Sequence, residues 1–151
     1  MTGYYDLITR IKEHFENDAI VNTITQGDIF RVDLNKQTIF PLVHIIVNNV
    51  QFVQNVQQCN ISVLAMDIVD ISKDETENIF DGNDNELDVL NTHLAVLNRM
   101  YEFLRRGDLY DDKYQVTGTP TCEPFIDRFE NKLAGWTMTF DVLIPNDMTI
   151  C

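Results

Sequence analysis

The stretch GWTMTFDVLIPN, residues 135–146, carries the clearest structural signal in the chain, because apolar and polar side chains alternate along it. Since successive side chains of a strand point to opposite faces of a sheet, this alternation predicts a strand with one buried face. The buried face would carry Trp136, Met138, Phe140, Val142 and Ile144. The opposite face would carry Thr137, Thr139, Asp141 and Leu143.

Other strands are predicted on both sides of this one. The run 42–50, LVHIIVNNV, is dense in β-branched residues, and residues 56–71 are similarly apolar. We predict that the two runs form an antiparallel hairpin over about 42–71, which turns near Asn48 to Gln54. Further strands are expected over about 114–145, with breaks at Gly118-Thr119-Pro120 and at Asn131-Lys132.

Two segments have apolar residues at helical spacing. The first covers about residues 4–17, and its apolar positions are Leu7, Ile8, Ile11 and Phe15. The second covers about residues 86–106, and its predicted apolar stripe is Leu87, Leu90, Leu94, Leu97, Tyr101 and Leu104, joined by Val89 and Phe103. Together with the strands, these helices predict an α+β fold, in which two helices pack on one face of a mostly antiparallel β-sheet.

Composition limits the classes of function. A length of 151 residues with 44% apolar residues suits a single domain over residues 1–151. The formal charge of -13 argues against direct binding of nucleic acid, which requires Lys and Arg to neutralise phosphates. Because charges occur early in MTGYYDLITRIKEHF, we expect neither a signal peptide nor a membrane span, and therefore a cytoplasm-like compartment. Cys59, Cys122 and Cys151 lack the spacing of a zinc site.

The acidic connection over residues 72–86 is the one place where carboxylates are concentrated. It includes Asp74, Glu75, Glu77, Asp81 and Asp84. The segment that begins at Asp81 superficially resembles a calcium-binding loop, but its Gly and Glu do not stand at the required positions. The better interpretation is a solvated loop whose carboxylates interact favourably with the N-terminus of the second helix.

Catalytic motifs are missing from the sequence. The chain has no GxSxG, no cysteine-protease signature and no glycine-rich phosphate loop. His44 on a strand and His93 on a helix are expected to be structural. We therefore predict no enzymatic activity, no cofactor and no metal ligands.

Four residues are candidates for a protein interface. Arg99, Arg105 and Arg106 stand out because cations are scarce, and they would suit the carboxylates of a neighbouring acidic subunit. The alternative is that Arg105 and Arg106 only complement the dipole of the second helix. Trp136 is the sole tryptophan, and packing in the core is its default role.

The order of these elements resembles that of the neck and tail-terminator (tail-completion) proteins of tailed bacteriophages. The resemblance covers nearly the whole chain. It is carried by the first helix near YYDLITRIKEHF, the hairpin IFPLVHIIVNN leading to NISVLAMDIVDIS, the helix LNTHLAVLNRMYEFLRR and the closing strand ENKLAGWTMTFDVLIPN.

This resemblance implies a structural virion protein that is assembled in the host cytoplasm and has no enzymatic activity. Proteins of this family form closed rings, hexamers or dodecamers, between the portal or connector and the tail. DNA would pass through the lumen without specific binding, and no membrane would be involved. The acidic connection over residues 72–86 would line the lumen or contact the next ring.

Two other classes of function are compatible with the sequence. The first is a small carboxylate-metal enzyme, such as a phage nuclease, that would use Asp67, Asp70 and Asp81. On a strand, however, the spacing of Asp67 and Asp70 would place them on opposite faces. The second is a monomeric adaptor protein.

Overall fold

The structure is a computed structural model, and it describes residues 3–28, 39–69, 86–106, 114–126 and 133–145. These residues form two helices and five strands. In chain order the elements are α1 (Tyr4–Glu16), β1 (Thr23–Gln26), β2 (Leu42–Val53), β3 (Val56–Ile68), α2 (Glu86–Arg106), β4 (Gln115–Ile126) and β5 (Leu133–Pro145).

The strands form one sheet in the order β1-β2-β3-β5-β4. All neighbouring pairs are antiparallel except β1 and β2, which are parallel. The prediction of an α+β fold with a mostly antiparallel sheet is therefore confirmed. The closing strand β5 pairs along its whole length with β3 and also with β4, which makes it an internal strand.

The alternation predicted for β5 is present in the structure. Met138, Phe140, Val142 and Ile144 are buried in the main core, and Trp136 packs against that core. Thr137, Thr139, Asp141 and Leu143 are only partly buried. The pattern arises because the two helices cover the first of these faces.

The hairpin of β2 and β3 turns later than predicted, because β2 continues to Val53. The two-residue turn is formed by Gln54 and Asn55, and Asn55 has a positive φ of 59°. The prediction that the turn begins near Asn48 was wrong. At that position the register shifts between Val47 and Asn49, so Asn48 is a bulge inside β2. An Asn pair suggests a turn in sequence, but here it stays in the strand.

The predicted break at Gly118-Thr119-Pro120 was also wrong. Residues 115–126 form a single strand, β4, which pairs with β5 on both sides of an irregularity between Thr117 and Thr121. Gly118 has a φ of +74°, which favours glycine. The glycine and the proline therefore interrupt the pairing register without ending the strand.

Helix α1 agrees with its prediction. Leu7, Ile8, Ile11 and Phe15 are the buried positions of this helix. Its start is fixed to the start of β4, because the Tyr114 hydroxyl donates a hydrogen bond to Asp6 Oδ2 at 2.5 Å and accepts one from the Gly3 N–H at 3.2 Å. Burial and the bond to the Asp6 carboxylate raise the pKa of Tyr114 to about 12.

Helix α2 has the predicted bounds, but its buried face is rotated from the predicted stripe. The buried residues are Val89, His93, Val96, Leu97, Met100 and Leu104. Leu87 is 74% exposed and Leu94 is 40% exposed. Since Leu87, Leu94 and Tyr101 are spaced by whole heptads, they drift by only about 20° per heptad and share one side of the helix. The helix therefore carries a second apolar side, on which Leu87 and Leu94 are exposed while Tyr101 packs against the main core.

Buried residues lie on both faces of the sheet. The main core fills the space between the sheet and the two helices. A smaller core on the opposite face consists of Phe40, Leu42, Leu64, Met66, Phe125 and Leu133. No helix within the described ranges is long and apolar enough to cross a membrane.

Candidate assembly surfaces

In the part of the chain that the structure describes, the second half of β2 is an edge of the sheet. Its parallel partner β1 pairs only with residues 42–45, so residues 46–53 have no neighbour on their outer side among the described strands. This edge also lacks charge. In the sequence, no Asp, Glu, Lys or Arg occurs from Pro41 to Met66. An exposed edge thus lies within the longest charge-free run of an acidic chain, whereas natural sheets usually protect their edges with charges.

The end of this hairpin, residues 50–55, is the hairpin tip. Phe52 is 79% exposed and Val53 is 49% exposed. Phe52 pairs with Gln57, which in turn pairs with the buried Ile144, so Phe52 projects from the side of the sheet that the helices cover elsewhere. Its exposure shows that neither helix reaches the tip. The tip is thus an apolar protrusion.

The opposite edge of the sheet is β4, and a groove of about 470 Å³ runs between this strand and α2. Its lining includes Leu94, Ala95, Tyr101, Pro120, Cys122 and Met138. We call it the α2–β4 groove. Leu94 and Tyr101, from the second apolar side of α2, belong to one of its walls.

A polar ladder crosses the face of the sheet that the helices leave open. Asn48 Nδ2 donates to Asn60 Oδ1 at 2.7 Å and to Ser62 Oγ at 2.8 Å. Asn60 Nδ2 donates to Asp141 Oδ1 at 2.8 Å, and Ser62 Oγ lies 3.1 Å from Thr139 Oγ1. None of the five strands contains Lys or Arg. This face therefore offers hydrogen-bonding groups and a carboxylate, but no Lys or Arg from any of the five strands.

The three predicted interface cations form ion pairs within the chain. Arg99 holds Asp18 with two bonds, from Nε at 2.9 Å and from Nη2 at 3.0 Å. Arg105 and Arg106 both contact Glu102, at 3.1 Å and 2.6 Å. All three side chains remain partly exposed, so their contact with a neighbouring subunit stays a prediction.

The Asp18 carboxylate accepts two hydrogen bonds from Arg99 and one from the Ile20 N–H. Its side chain is only 4% exposed. Burial alone would raise its pKa, but the bonds from Arg99 and from the Ile20 N–H outweigh that effect, and the pKa of Asp18 lies below its ordinary value. This pair connects the end of α1 to α2.

Trp136 contributes to packing within the chain. Its Nε1 donates to the Leu90 carbonyl oxygen at 2.8 Å, and its ring packs against the main core. The side chain is half-buried. The bond fixes the first half of α2 to β5, which agrees with the default role expected from the sequence.

Most of the candidate carboxylates lie outside the described residues. These are Asp70, Asp74, Glu75, Glu77, Asp81 and Asp84. Asp67 is described, and its Oδ1 accepts a bond from the Ile68 N–H at 2.7 Å. Among the residues that the structure describes, no three His, Cys, Asp or Glu side chains come together as a metal site.

His44 links β1 to β2. Its Nε2 lies 2.7 Å from the Gly27 carbonyl oxygen, which can only accept, so Nε2 carries the proton. Its Nδ1 therefore accepts from the Thr25 hydroxyl, which is 2.6 Å away. Burial lowers the pKa of His44, although the Gly27 carbonyl and Asp28 act in the opposite direction. A neutral imidazole with this fixed tautomer is a structural clamp.

His93 is buried on α2. Its Nδ1 donates to the Val89 carbonyl oxygen at 2.9 Å, while its Nε2 is buried without a hydrogen-bond partner among the described residues. Burial lowers the pKa of His93. With Asp67 and Asp88 it lines a cavity of about 360 Å³ between α2 and the sheet.

The cysteines that the structure describes are Cys59, which is buried in the main core, and Cys122, which is half-buried beside the α2–β4 groove. Both are free thiols, and burial raises the pKa of each. A raised pKa keeps a thiol protonated and poorly reactive.

Sequence reasoning missed the two surfaces that stand out in the structure, the hairpin tip and the α2–β4 groove. The charge-free run from Pro41 to Met66 was the available signal for the hairpin tip.

In comparisons with known proteins, no protein-family model and no curated protein matches this chain.

Proposed function

We propose that this chain is a structural virion protein that forms a ring at the head–tail (neck) junction of a tailed bacteriophage, as a tail terminator or a connector-ring subunit. One observation carries the proposal most directly. The sheet has an edge on each side, at β4 and at the second half of β2, and both edges are almost uncharged in a chain of formal charge -13.

The uncharged edges determine how two copies can meet. Each copy repels the other over most of its surface, because both are strongly acidic. Only surfaces without charge can approach closely at low cost. Since these surfaces lie on opposite sides of one sheet, they favour a head-to-tail contact, and such heterologous contacts generate rings when the rotation closes.

The open face of the sheet supports the second part of the proposal, a lumen through which DNA passes. A surface that holds DNA needs cations to neutralise phosphates. The polar ladder instead presents amides, hydroxyls and the Asp141 carboxylate, and the strands contain no Lys or Arg. We propose that DNA slides along such a surface. The acidic residues Asp74, Glu75, Glu77, Asp81 and Asp84 would add to the repulsion there or contact the next ring.

The native mass of the purified chain at several concentrations, with electron micrographs of the assemblies, tests the ring. Hexameric rings would favour a tail terminator, and dodecameric rings would favour a neck ring stacked on the portal. Antibody labelling of intact virions provides an independent test of location. Label at the junction between head and tail is expected, and label on the capsid shell or at the tail tip would contradict the proposal.

A monomeric adaptor is the second candidate. It is favoured by the exposed Phe52 at the hairpin tip, since an apolar protrusion also suits a contact with a different protein. A monomer at every concentration, together with a stable complex with one portal-side or tail-side protein, would support the adaptor instead of the ring.

A further inference from the structure

We infer that the hairpin tip of one subunit inserts into the α2–β4 groove of a second copy of this chain. This inference rests on the proposed ring, and it specifies which surfaces form the contact between subunits. It assigns the contact to apolar packing and not to the arginines of α2.

The two surfaces match in chemistry. The tip presents Phe52 with Val50 and Val53, all exposed. The groove is lined mostly by apolar residues, including Leu94, Ala95, Tyr101 and Met138, and its polar residues are Asn91, Asn98 and Thr119. Its volume of about 470 Å³ lies within the roughly 300–1,000 Å³ typical of pockets that bury a small ligand, so a phenylalanine side chain with a neighbouring valine would fit.

One subunit cannot bring its own tip into its own groove. The tip is on β2 and the groove is beside β4, with β3 and β5 between them. Three strand spacings of about 4.8 Å separate the two edges by about 14 Å. The hairpin tip and the α2–β4 groove of every subunit are therefore both covered only when the tip of one copy enters the groove of another.

Charge favours a second copy as the occupant. The tip has no charged residue, and the groove wall on β4 is uncharged from Tyr114 to Cys122. A chain of formal charge -13 thus places its uncharged segments on opposite sides of the sheet, where copies could meet with little repulsion.

The prolines of β4 explain why the contact uses the groove and not a strand-to-strand addition. Pro120 and Pro124 have no N–H to donate, and the pairing of β4 is irregular between Thr117 and Thr121. Such features protect an edge against the addition of another strand. The side chains beside the strand remain accessible, and those are the ones that the tip would contact.

The test uses two charge substitutions on exposed residues, Phe52→Asp in the tip and Leu94→Asp in the groove. Each variant should weaken self-association at least about 30-fold, as expected for a central apolar anchor of an interface. Tyr5→Asp is the matched control, because Tyr5 is an aromatic residue of α1 that is 83% exposed. It should assemble like the unaltered chain. Circular dichroism spectra and melting curves would show that all three variants are folded.

Mixing the two variants separates a head-to-tail contact from a symmetric one. The Phe52→Asp variant keeps an intact groove, and the Leu94→Asp variant keeps an intact tip. Their mixture should therefore form a one-to-one heterodimer that cannot grow, since its remaining tip and groove are both defective. Sedimentation velocity of the mixture would detect this species.

Several outcomes would overturn the inference, and they are distinguishable from failure of the proposed function. Rings that persist in both variants would reject the contact between tip and groove but would still support the proposed ring. An unaltered chain that stays monomeric at every concentration would reject self-docking, while labelling at the virion neck would still support the location. If Leu94→Asp abolished only the binding of a portal-side or tail-side protein, that protein would be the occupant of the groove.

Discussion

Replacing Gly135 with alanine should destabilise the fold strongly, because the sheet leaves no room for a side chain there. A Cβ atom on Gly135 would lie 2.0 Å from the Ala65 carbonyl oxygen and 2.9 Å from Met66 Cα, both of which are backbone atoms. Ordinary contact begins at 3.4 Å, so β3 and β5 would have to separate locally by 1.4 Å, the difference between 3.4 and 2.0. Backbone atoms of two internal strands cannot move aside as a flexible side chain can.

The cost follows from two effects. Overpacking of a well-packed site costs typically about 1–3 kcal/mol. The separation would also weaken one or two ladder hydrogen bonds beside the pair Met66 and Gly135, each worth about 1 kcal/mol. We therefore expect Gly135→Ala to lower the free energy of unfolding by about 2–5 kcal/mol, which for a domain of this size is roughly 4–20 °C in melting temperature.

Urea denaturation followed by circular dichroism would measure this cost, with Gly118→Ala as the matched control. Gly118 has a φ of +74° and nothing within 4 Å of an added Cβ, so its substitution tests backbone strain without a clash. That strain should cost about 1–2 kcal/mol. If Gly135→Ala cost no more than Gly118→Ala, the close approach of β3 and β5 at this position would be refuted.

Two further predictions concern the charged and titratable groups of the helices. Asp18→Ala should lower the free energy of unfolding by about 1–3 kcal/mol, because it removes the two bonds from Arg99 and the acceptor of the Ile20 N–H. Urea denaturation would measure this loss. An unchanged urea midpoint would contradict the pairing of Asp18 with Arg99. The pKa of His93 is lowered by burial from the ordinary 6.5, so the unfolded state binds the proton more readily. The stability that neutral His93 contributes is complete above pH 6.5 and is lost as the pH falls through its lower folded pKa. His93→Leu should therefore flatten the loss of stability on acidification below pH 6.5, and equal slopes in both proteins would refute the argument.

The elements of the fold were largely predictable because each had a strong local pattern. Strand β5 alternates along its length, and α1 places Leu7, Ile8, Ile11 and Phe15 on one side. The wrong predictions arose where one local sequence pattern was compatible with two backbone conformations. The pair Asn48 and Asn49 suggests a turn, but a bulge accommodates it and the strand continues to Val53.

The choice of buried face on α2 illustrates a different limit of sequence reasoning. The helix has more apolar residues than one stripe can hold, so periodicity alone allowed two choices of buried face. Packing against β3 and β5 selected the side with Val96 and Met100 and left Leu87 and Leu94 exposed. A sequence pattern cannot reveal this choice, because it depends on the position of the helix on the sheet. The α2–β4 groove is therefore a feature that only the tertiary structure could show.

Ionic strength would separate the two possible kinds of subunit contact. If Arg99, Arg105 and Arg106 bound carboxylates of the next subunit, added salt would screen that attraction and weaken assembly. If the tip fills the groove, the charges act mainly as repulsion between copies of formal charge -13. Because the Debye length falls from about 10 Å at 0.1 M to about 3 Å at 1 M, salt would then relieve the repulsion and strengthen assembly. Sedimentation at rising concentrations of NaCl should show larger assemblies, and dissociation by salt would assign the contact to the arginines.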